Sequence, residues 1–137
     1  MTFEQVNQEL PNGFHDGKIR GIRVDFLDCL ILLAMDLHVG IPGDADPERY
    51  RPGTLRVKSP YLFFVDPPDP RYRFIPNGSP FNVDGDAVRP GQNQALDELL
   101  PVLPTGATAY RFFMEDCNSV LYIAGAAVEF SWDDADA

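Results

Sequence analysis

Hydrophobic and polar residues alternate along several short segments of this chain, with the period of two that is typical of β-strands. In residues 18–27, Ile22, Val24 and Phe26 fall on one face and Arg23 on the other. The 13 prolines and 11 glycines cluster between such segments, where they favour turns and shaped loops. The predicted strands are residues 18–27, 29–39, 54–65, 107–115, 120–124 and 127–132.

The segment 29–39 is apolar on both sides along most of its length, because Leu30 and Leu32 oppose an equally apolar set of alternate residues. A strand that is covered on both faces belongs at the centre of a layered structure. We therefore expect this segment to be the core strand. Gly21 is expected to mark a bulge or a close crossing of strands, and Pro60 an edge strand or a bulge.

Two short helices complete the predicted fold. Residues 3–10 have the spacing of a brief amphipathic helix that ends before a proline, and residues 94–100 are a second helix candidate. A small hairpin is expected around residues 84–85. The pattern as a whole predicts a single all-β (β-rich) domain, residues 1–137, as an antiparallel sandwich or a strongly curved sheet with one or two short helices.

The acidic composition narrows the classes of function. The chain has 21 acidic and 11 basic residues and a net charge of −10. Such a surface repels nucleic-acid phosphates and anionic lipids, so DNA or RNA binding is disfavoured. It favours a basic protein partner, although acidity alone also keeps a protein in solution. Pairing of an exposed strand edge with its copy would give a homo-oligomer.

The sequence predicts a cytoplasmic protein that is not embedded in a membrane. Its start lacks the basic and apolar regions of a signal peptide. The longest apolar run, residues 29–35, is too short to cross a bilayer. Cys29 and Cys117 lack the spacing of a redox or zinc motif, so we expect two reduced thiols.

His15 and Asp16 are the first candidates for chemistry, because an imidazole beside a carboxylate can act as a general base or bind a metal. Adjacent residues of an extended chain point to opposite faces, so we do not expect these two side chains to converge. Residues 12–17 have the composition of a turn, in which polar side chains bond backbone groups. A structural role is therefore favoured.

His38 lies on the same strand face as Asp36, but a metal site needs at least three convergent ligands and no spacing supplies them. We expect a partly buried histidine that is bonded to the backbone. Residues 82–86 imitate the start of a calcium loop, but Ala87 and Asn93 stand where glycine and glutamate are required. Neither a metal nor another cofactor is predicted.

Residues 61–74 favour a binding role. They combine aromatic residues and two arginines with prolines that stiffen the backbone, and tyrosine and arginine are common interface anchors. A rigid aromatic loop of this kind could present a surface to a partner. In the alternative interpretation, Tyr72 and Phe74 fold back over the core, and the sequence leaves both alternatives open.

Residues 12–17, Asn-Gly-Phe-His-Asp-Gly, resemble the Gly-Phe-His-Asp-Ala/Gly opening of small uncharacterised bacterial proteins, some of which are similar to immunity proteins of polymorphic-toxin systems. Residues 62–72 and the closing strands resemble the same broad pattern. This family supplies no catalytic residues. The resemblance implies an all-β cytoplasmic protein that neutralises a partner protein by binding it.

These features together predict a non-enzymatic binding protein, whose most concrete form is an immunity-like protein that docks on a basic partner. No nucleophile elbow or glycine-rich phosphate loop is present, and Asp116 disfavours a thiolate at Cys117. The alternative is a small-ligand-binding protein or a small enzyme with a pocket near His15 and His38. The candidate binding residues are His15, Asp16, Tyr61, Arg71, Tyr72 and Phe74.

Overall fold

The structure, a computed structural model, describes residues 1–72 and 78–134. Within these residues, six antiparallel strands form one sheet that closes on itself as a barrel. The elements are α1 (Phe3–Glu9), β1 (Gly17–Asp25), β2 (Leu30–His38), β3 (Tyr50–Val65), β4 (Phe81–Ala87), α2 (Gln94–Leu99), a 3₁₀ turn (Leu100–Val102), β5 (Thr108–Met114), a second 3₁₀ turn (Glu115–Cys117) and β6 (Ser119–Trp132). Around the barrel the strands follow the order β1-β2-β3-β6-β5-β4.

The predicted β-rich antiparallel fold with two short helices is confirmed, and the closed barrel is a more specific form of it than a sandwich or a curved sheet. The sheet closes because β1 pairs with β2 along one edge and with β4 along the other. The predicted bulges are also present. The pairing register shifts between Ile19 and Gly21 in β1 and between Pro60 and Leu62 in β3.

Two predictions about where the chain turns are wrong. Residues 120–124 and 127–132 form one strand, β6, in which Gly125 continues the ladder instead of turning the chain. A Cβ atom at Gly125 would lie 2.6 Å from Val57 Cγ1, so this glycine permits close packing of β3 on β6. The hairpin expected at residues 84–85 is also absent, because both residues pair with β5 inside β4.

The core lies inside the barrel, and β2 contributes its inward-facing residues to it. Ile31, Leu33 and Met35 are almost fully buried, which confirms this strand as part of the core. Leu30 and Leu32 on the outer face are only half-buried, since a closed sheet needs no second layer to cover that face. The buried cluster comprises Phe3, Val6, Leu10, Phe14, Ile19, Ile31, Leu33, Met35, Leu37, Leu55, Val57, Val83, Tyr110, Phe112, Met114, Cys117, Leu121, Ile123 and Val128.

The helix α1 is attached to the barrel by its first residues. Thr2 and Gln5 form a capping box that satisfies backbone N–H groups at the start of the helix. Phe3 is fully buried, its ring stacks on Tyr110 with centroids 5.2 Å apart, and its N–H donates to Thr108 Oγ1 at 3.0 Å. The segment after α1 therefore starts from a fixed position beside β5.

The barrel closes where this segment meets β4. The ladder between β1 and β4 has only the pairs Gly17–Val83, Lys18–Asn82 and Ile19–Phe81. It is extended by Phe14, whose carbonyl oxygen accepts a hydrogen bond from the Gly85 N–H at 3.2 Å. The Phe14 side chain is fully buried, with its ring 5.6 Å from Tyr110 and 5.4 Å from Phe112.

Gly85 is required for this contact, since a Cβ atom there would lie 2.7 Å from Phe14 Cβ and 2.8 Å from the Tyr110 ring. We expect Gly85→Ala to lower the free energy of unfolding by about 1–3 kcal/mol, the usual effect of overpacking a core. Urea denaturation measures the change. Gly21→Ala is the matched control, because a Cβ atom at this strand glycine meets nothing within 4 Å. Equal effects of the two substitutions would contradict the assigned role of Gly85.

Candidate functional site

The loop between α1 and β1 holds the predicted His15 and Asp16 in a fixed conformation. Asn12 Nδ2 donates to the carbonyl oxygens of His38 and Gly40 at 3.0 and 2.9 Å. Just before His15, the Phe14 N–H donates to Asn7 Oδ1 of α1 at 2.9 Å. With Phe14 buried, the two residues that follow it are presented at the surface beside β4.

His15 and Asp16 converge with a third residue, Asp84 of β4. His15 Nδ1 lies 3.2 Å from Asp16 Oδ2 and 3.2 Å from Asp84 Oδ1, and the Asp16 N–H donates to the same Asp84 oxygen at 2.8 Å. The expectation that the side chains of His15 and Asp16 diverge is therefore wrong. It assumed an extended chain, whereas Asp16 has a φ of 54° in a tight turn.

A polar cavity of about 320 Å³ adjoins this cluster, and Asp16 belongs to both. The cavity is formed by the ends of several elements and by the loop between β2 and β3, so residues distant in sequence meet there. Its lining residues are Asp16, His38, Glu48, Tyr50, Asn82, Val83 and Glu115. Of the two histidines named for a predicted pocket, His38 lines this cavity and His15 does not.

His38 has a structural contact in this cavity. Its Nε2 atom lies 2.7 Å from the Pro47 carbonyl oxygen, which ties the β2–β3 loop to the end of β2. This confirms the expected half-buried histidine bonded to the backbone. Asp36, its neighbour on the same strand face, forms an ion pair with Arg20 at 3.1 Å. His38 and Asp36 each contact another group of the chain.

Asp16, Glu48 and Glu115 line the cavity, and Asp84 and Asp116 accept hydrogen bonds from residues that line it; we refer to these five carboxylates as the acidic wall. Asp116 accepts a hydrogen bond from the Asn82 N–H at 2.6 Å. Among the described residues, neither Glu48 nor Glu115 forms an ion pair, and both are exposed. Within the described part of the chain, no ion pair therefore compensates the negative charge of Glu48 and Glu115.

The charges of the acidic wall affect the pKa of Tyr50. Burial raises the pKa of its phenol, and the charges of Asp16 and Glu48 raise the pKa further by disfavouring the anion. The Lys18 ammonium nitrogen lies 4.7 Å from the centroid of the Tyr50 ring, a distance suited to a cation–π contact. This part of the surface thus favours positive charge.

Sequence reasoning missed most of the acidic wall. Glu48 comes from the β2–β3 loop, Asp84 from β4, and Glu115 and Asp116 from the turn after β5. They meet because β4 pairs with both β1 and β5, and the pairing order of strands is not encoded in any local spacing. The aspartates of residues 82–86 stood out in the sequence as a segment that imitates a calcium loop. Nothing near them in the sequence indicated that Asp84 would lie beside His15 and Asp16.

In the predicted binding stretch, Phe64 is half-buried against Tyr122, and the other aromatic residues that the structure describes are exposed. Tyr61 is 42% and Tyr72 is 47% exposed, so Tyr72 does not fold back into the core. The Arg71 guanidinium lies 5.8 Å from the Tyr72 ring and is bonded to Asp69. Phe74 lies outside the described residues.

The loop that carries Tyr72 is anchored next to the acidic wall. The hydrogen bonds from Arg71 lower the pKa of Asp69, and a further one from Asn118 acts in the same direction. Ser119 donates its hydroxyl to the Asp66 carbonyl oxygen, and the Asp66 N–H donates to the backbone of β6. The turn between β5 and β6 therefore contacts the loop on one side and carries Glu115 of the wall on the other.

The two cysteines differ in burial. Cys29 is exposed in the β1–β2 turn, Cys117 is buried, and both are free thiols. Burial raises the pKa of the Cys117 thiol, and the charge of Asp116 raises it further, as the sequence predicted.

Comparisons of the chain with models of protein families, with curated proteins and with solved structures find no match in any of the three. The resemblance of residues 12–17 to the opening of immunity-like proteins therefore stays a prediction. None of the helices in the described part of the chain is long and apolar enough to span a membrane.

We expect the pKa of Tyr50 to fall in a variant with Asp16→Asn and Glu48→Gln, because the two charges that disfavour its phenolate are removed. Only part of the elevation should disappear, since burial is its largest cause. An NMR titration of the tyrosine ring carbons measures the pKa. Glu9→Gln, on α1, is the control and should leave Tyr50 unchanged; an unchanged Tyr50 in the double variant would contradict the proximity of the wall carboxylates.

Proposed function

We propose that this protein is a non-enzymatic binding protein that neutralises a basic protein partner, in the manner of an immunity protein. The observation that carries the proposal is the acidic wall, which gathers carboxylates from four separate segments in and beside one cavity. Residues 12–17, which resemble the opening of immunity-like proteins, contribute Asp16 to it. The wall is the surface on which the partner would dock.

The pairing of charges elsewhere in the molecule supports this assignment. Many carboxylates outside the wall have a basic neighbour, as in the Lys58–Glu129 pair at 3.0 Å and the Arg51–Asp134 pair at 2.7 Å. Glu48 and Glu115, which line the cavity, have no such neighbour among the described residues. Lysine or arginine side chains of a partner would supply the missing charge. Because the wall is exposed to solvent, this attraction increases the association rate more than the affinity and weakens with salt.

The exposed aromatic side chains would supply the binding energy that slows dissociation, which exposed charges alone do not supply. Tyrosine buries a large ring at low entropic cost and is frequent among the residues that dominate binding energy. Tyr72 lies on the loop that is attached to the β5–β6 turn beside the wall, and Arg71 lies next to its ring. A partner that meets the wall could therefore bury Tyr72, and Tyr61 with it, and so dissociate slowly.

A small cationic ligand is the second candidate, favoured by the cavity itself. Its volume of about 320 Å³ is at the lower end of the range for small-molecule sites, and its lining is polar. Such a ligand would contact Tyr50 and the wall carboxylates within the cavity. His38→Ala separates the candidates, because a change in the cavity lining would weaken a ligand that is bound inside it and would leave a docking surface on the wall carboxylates in place.

The wall is tested by capture of proteins from a lysate of the source cells at low and moderate salt. A variant with Asp16→Asn, Glu48→Gln and Glu115→Gln should lose one basic protein that the wild type retains at low salt, and its association rate with that protein should fall about tenfold or more. The control carries Glu4→Gln, Glu9→Gln and Asp28→Asn, which remove the same charge from other exposed positions. Equal loss in both variants, or an empty wild-type capture, would contradict the proposal.

For Tyr72→Ala we expect the captured partner to dissociate at least about fivefold faster, equivalent to about 1 kcal/mol, with little change in the association rate. Surface plasmon resonance measures both rates. Phe26→Ala is the control, because Phe26 is 87% exposed in the β1–β2 turn and no part of the wall. An unchanged dissociation rate in Tyr72→Ala would remove the aromatic loop from the interface.

A further inference from the structure

His15, Asp16 and Asp84 bring two kinds of metal ligand to one point on the surface, an imidazole nitrogen and two carboxylate oxygens. One ligand atom from each side chain can be chosen so that all three lie within 4.8 Å of one another. Two of the residues come from the loop before β1 and the third from β4. From this geometry we infer that the three side chains form a binding site for a divalent transition-metal ion of the zinc type.

The observed distances fit such an ion. Zinc binds histidine nitrogen and carboxylate oxygen at about 2.0–2.2 Å, so two ligands of a tetrahedral ion lie about 3.3 Å apart. His15 Nδ1 is 3.2 Å from Asp16 Oδ2 and 3.2 Å from Asp84 Oδ1. An ion could therefore bind between these atoms with only small adjustments of the side chains.

The charges also favour a cation. The ring nitrogen His15 Nδ1 carries at most one hydrogen, yet an oxygen of Asp16 and an oxygen of Asp84 both lie beside it. Among the described residues, no lysine or arginine forms an ion pair with either aspartate. A divalent ion would compensate both negative charges at once, whereas a protonated imidazole compensates one.

The backbone that carries the ligands is already fixed. The Asp16 N–H donates to Asp84 Oδ1 at 2.8 Å, and the Gly85 N–H donates to the Phe14 carbonyl oxygen at 3.2 Å. Buried Phe14 holds the loop in place, so little backbone order has to be gained on binding. Because His15 and Asp16 are exposed, the remaining coordination positions would face solvent, as in metal sites with three protein ligands and bound water.

The ligand types indicate which ions fit. Imidazole suits zinc, nickel and copper, and carboxylates extend the range to harder ions such as manganese. A set of one imidazole and two carboxylates therefore favours Zn²⁺ and Co²⁺ over Ca²⁺ and Mg²⁺, which prefer all-oxygen sites. This inference goes beyond the proposed function, because the site can bind an ion with or without a protein partner.

The test is isothermal titration of Zn²⁺, and separately of Co²⁺, into the chelator-treated full chain. We expect one ion per chain, with affinity at least about tenfold weaker in His15→Ala and in Asp84→Asn. Mutation of a residue that only hydrogen-bonds to a metal ligand already lowers metal affinity about tenfold or more, and these two residues are ligands themselves. An asparagine oxygen at position 84 can still accept from the Asp16 N–H, so the loop is retained. Glu115→Gln is the control, an exposed wall carboxylate outside the cluster.

Absence of binding to the wild type would overturn the inference, and so would equal weakening by Glu115→Gln, which would show attraction to the acidic surface alone. Circular dichroism of each variant verifies the fold. Capture of the protein partner in the presence of a chelator tests the proposed function independently of metal binding. A partner retained under chelation together with no metal binding would reject the metal site and leave the protein interface intact.

Discussion

The contact between Phe14 and Gly85 is the constraint on which the rest of the structure depends. Six strands close into a barrel through a ladder of only three residue pairs between β1 and β4, and a short ladder of this kind contributes few hydrogen bonds. Buried Phe14, packed on the rings of Tyr110 and Phe112, reinforces the closure where the ladder ends. A side chain larger than hydrogen at position 85 would separate these surfaces.

The same contact assembles the candidate site. The Gly85 N–H bonds to the Phe14 carbonyl oxygen, so the next two residues of the loop, His15 and Asp16, have to lie beside Asp84, the residue before Gly85. Barrel closure therefore brings one histidine and two carboxylates together at the edge of a cavity that also contains Glu48 and Glu115. The negative charges are close because the packing of the core places them there, and a positively charged partner or ion would lower the energy of that arrangement.

Local structure was predictable from the sequence, and long-range pairing was not. Alternation identified the strands apart from β4, which was not predicted, and Gly21 and Pro60 marked real bulges, because these signals depend on neighbouring residues. The separation of residues 120–124 from residues 127–132 was wrong, since Gly125 continues the strand in close contact with Val57 of β3. The candidate site was predicted only through His15, Asp16 and His38. Asp84 could not be joined to them without the register of β1 on β4.

The claim that positive charge binds at the acidic wall is tested most directly by an NMR titration of the full chain with tetralysine, a small cationic probe. The account predicts that the backbone amide shifts change first and most at Asp16, Glu48, Asp84 and Glu115, and that added salt reverses the changes. Shift changes of similar size around the whole surface, or centred on the acidic residues Asp133 and Asp134 at the end of β6, would contradict the assignment of the wall as the site where positive charge binds.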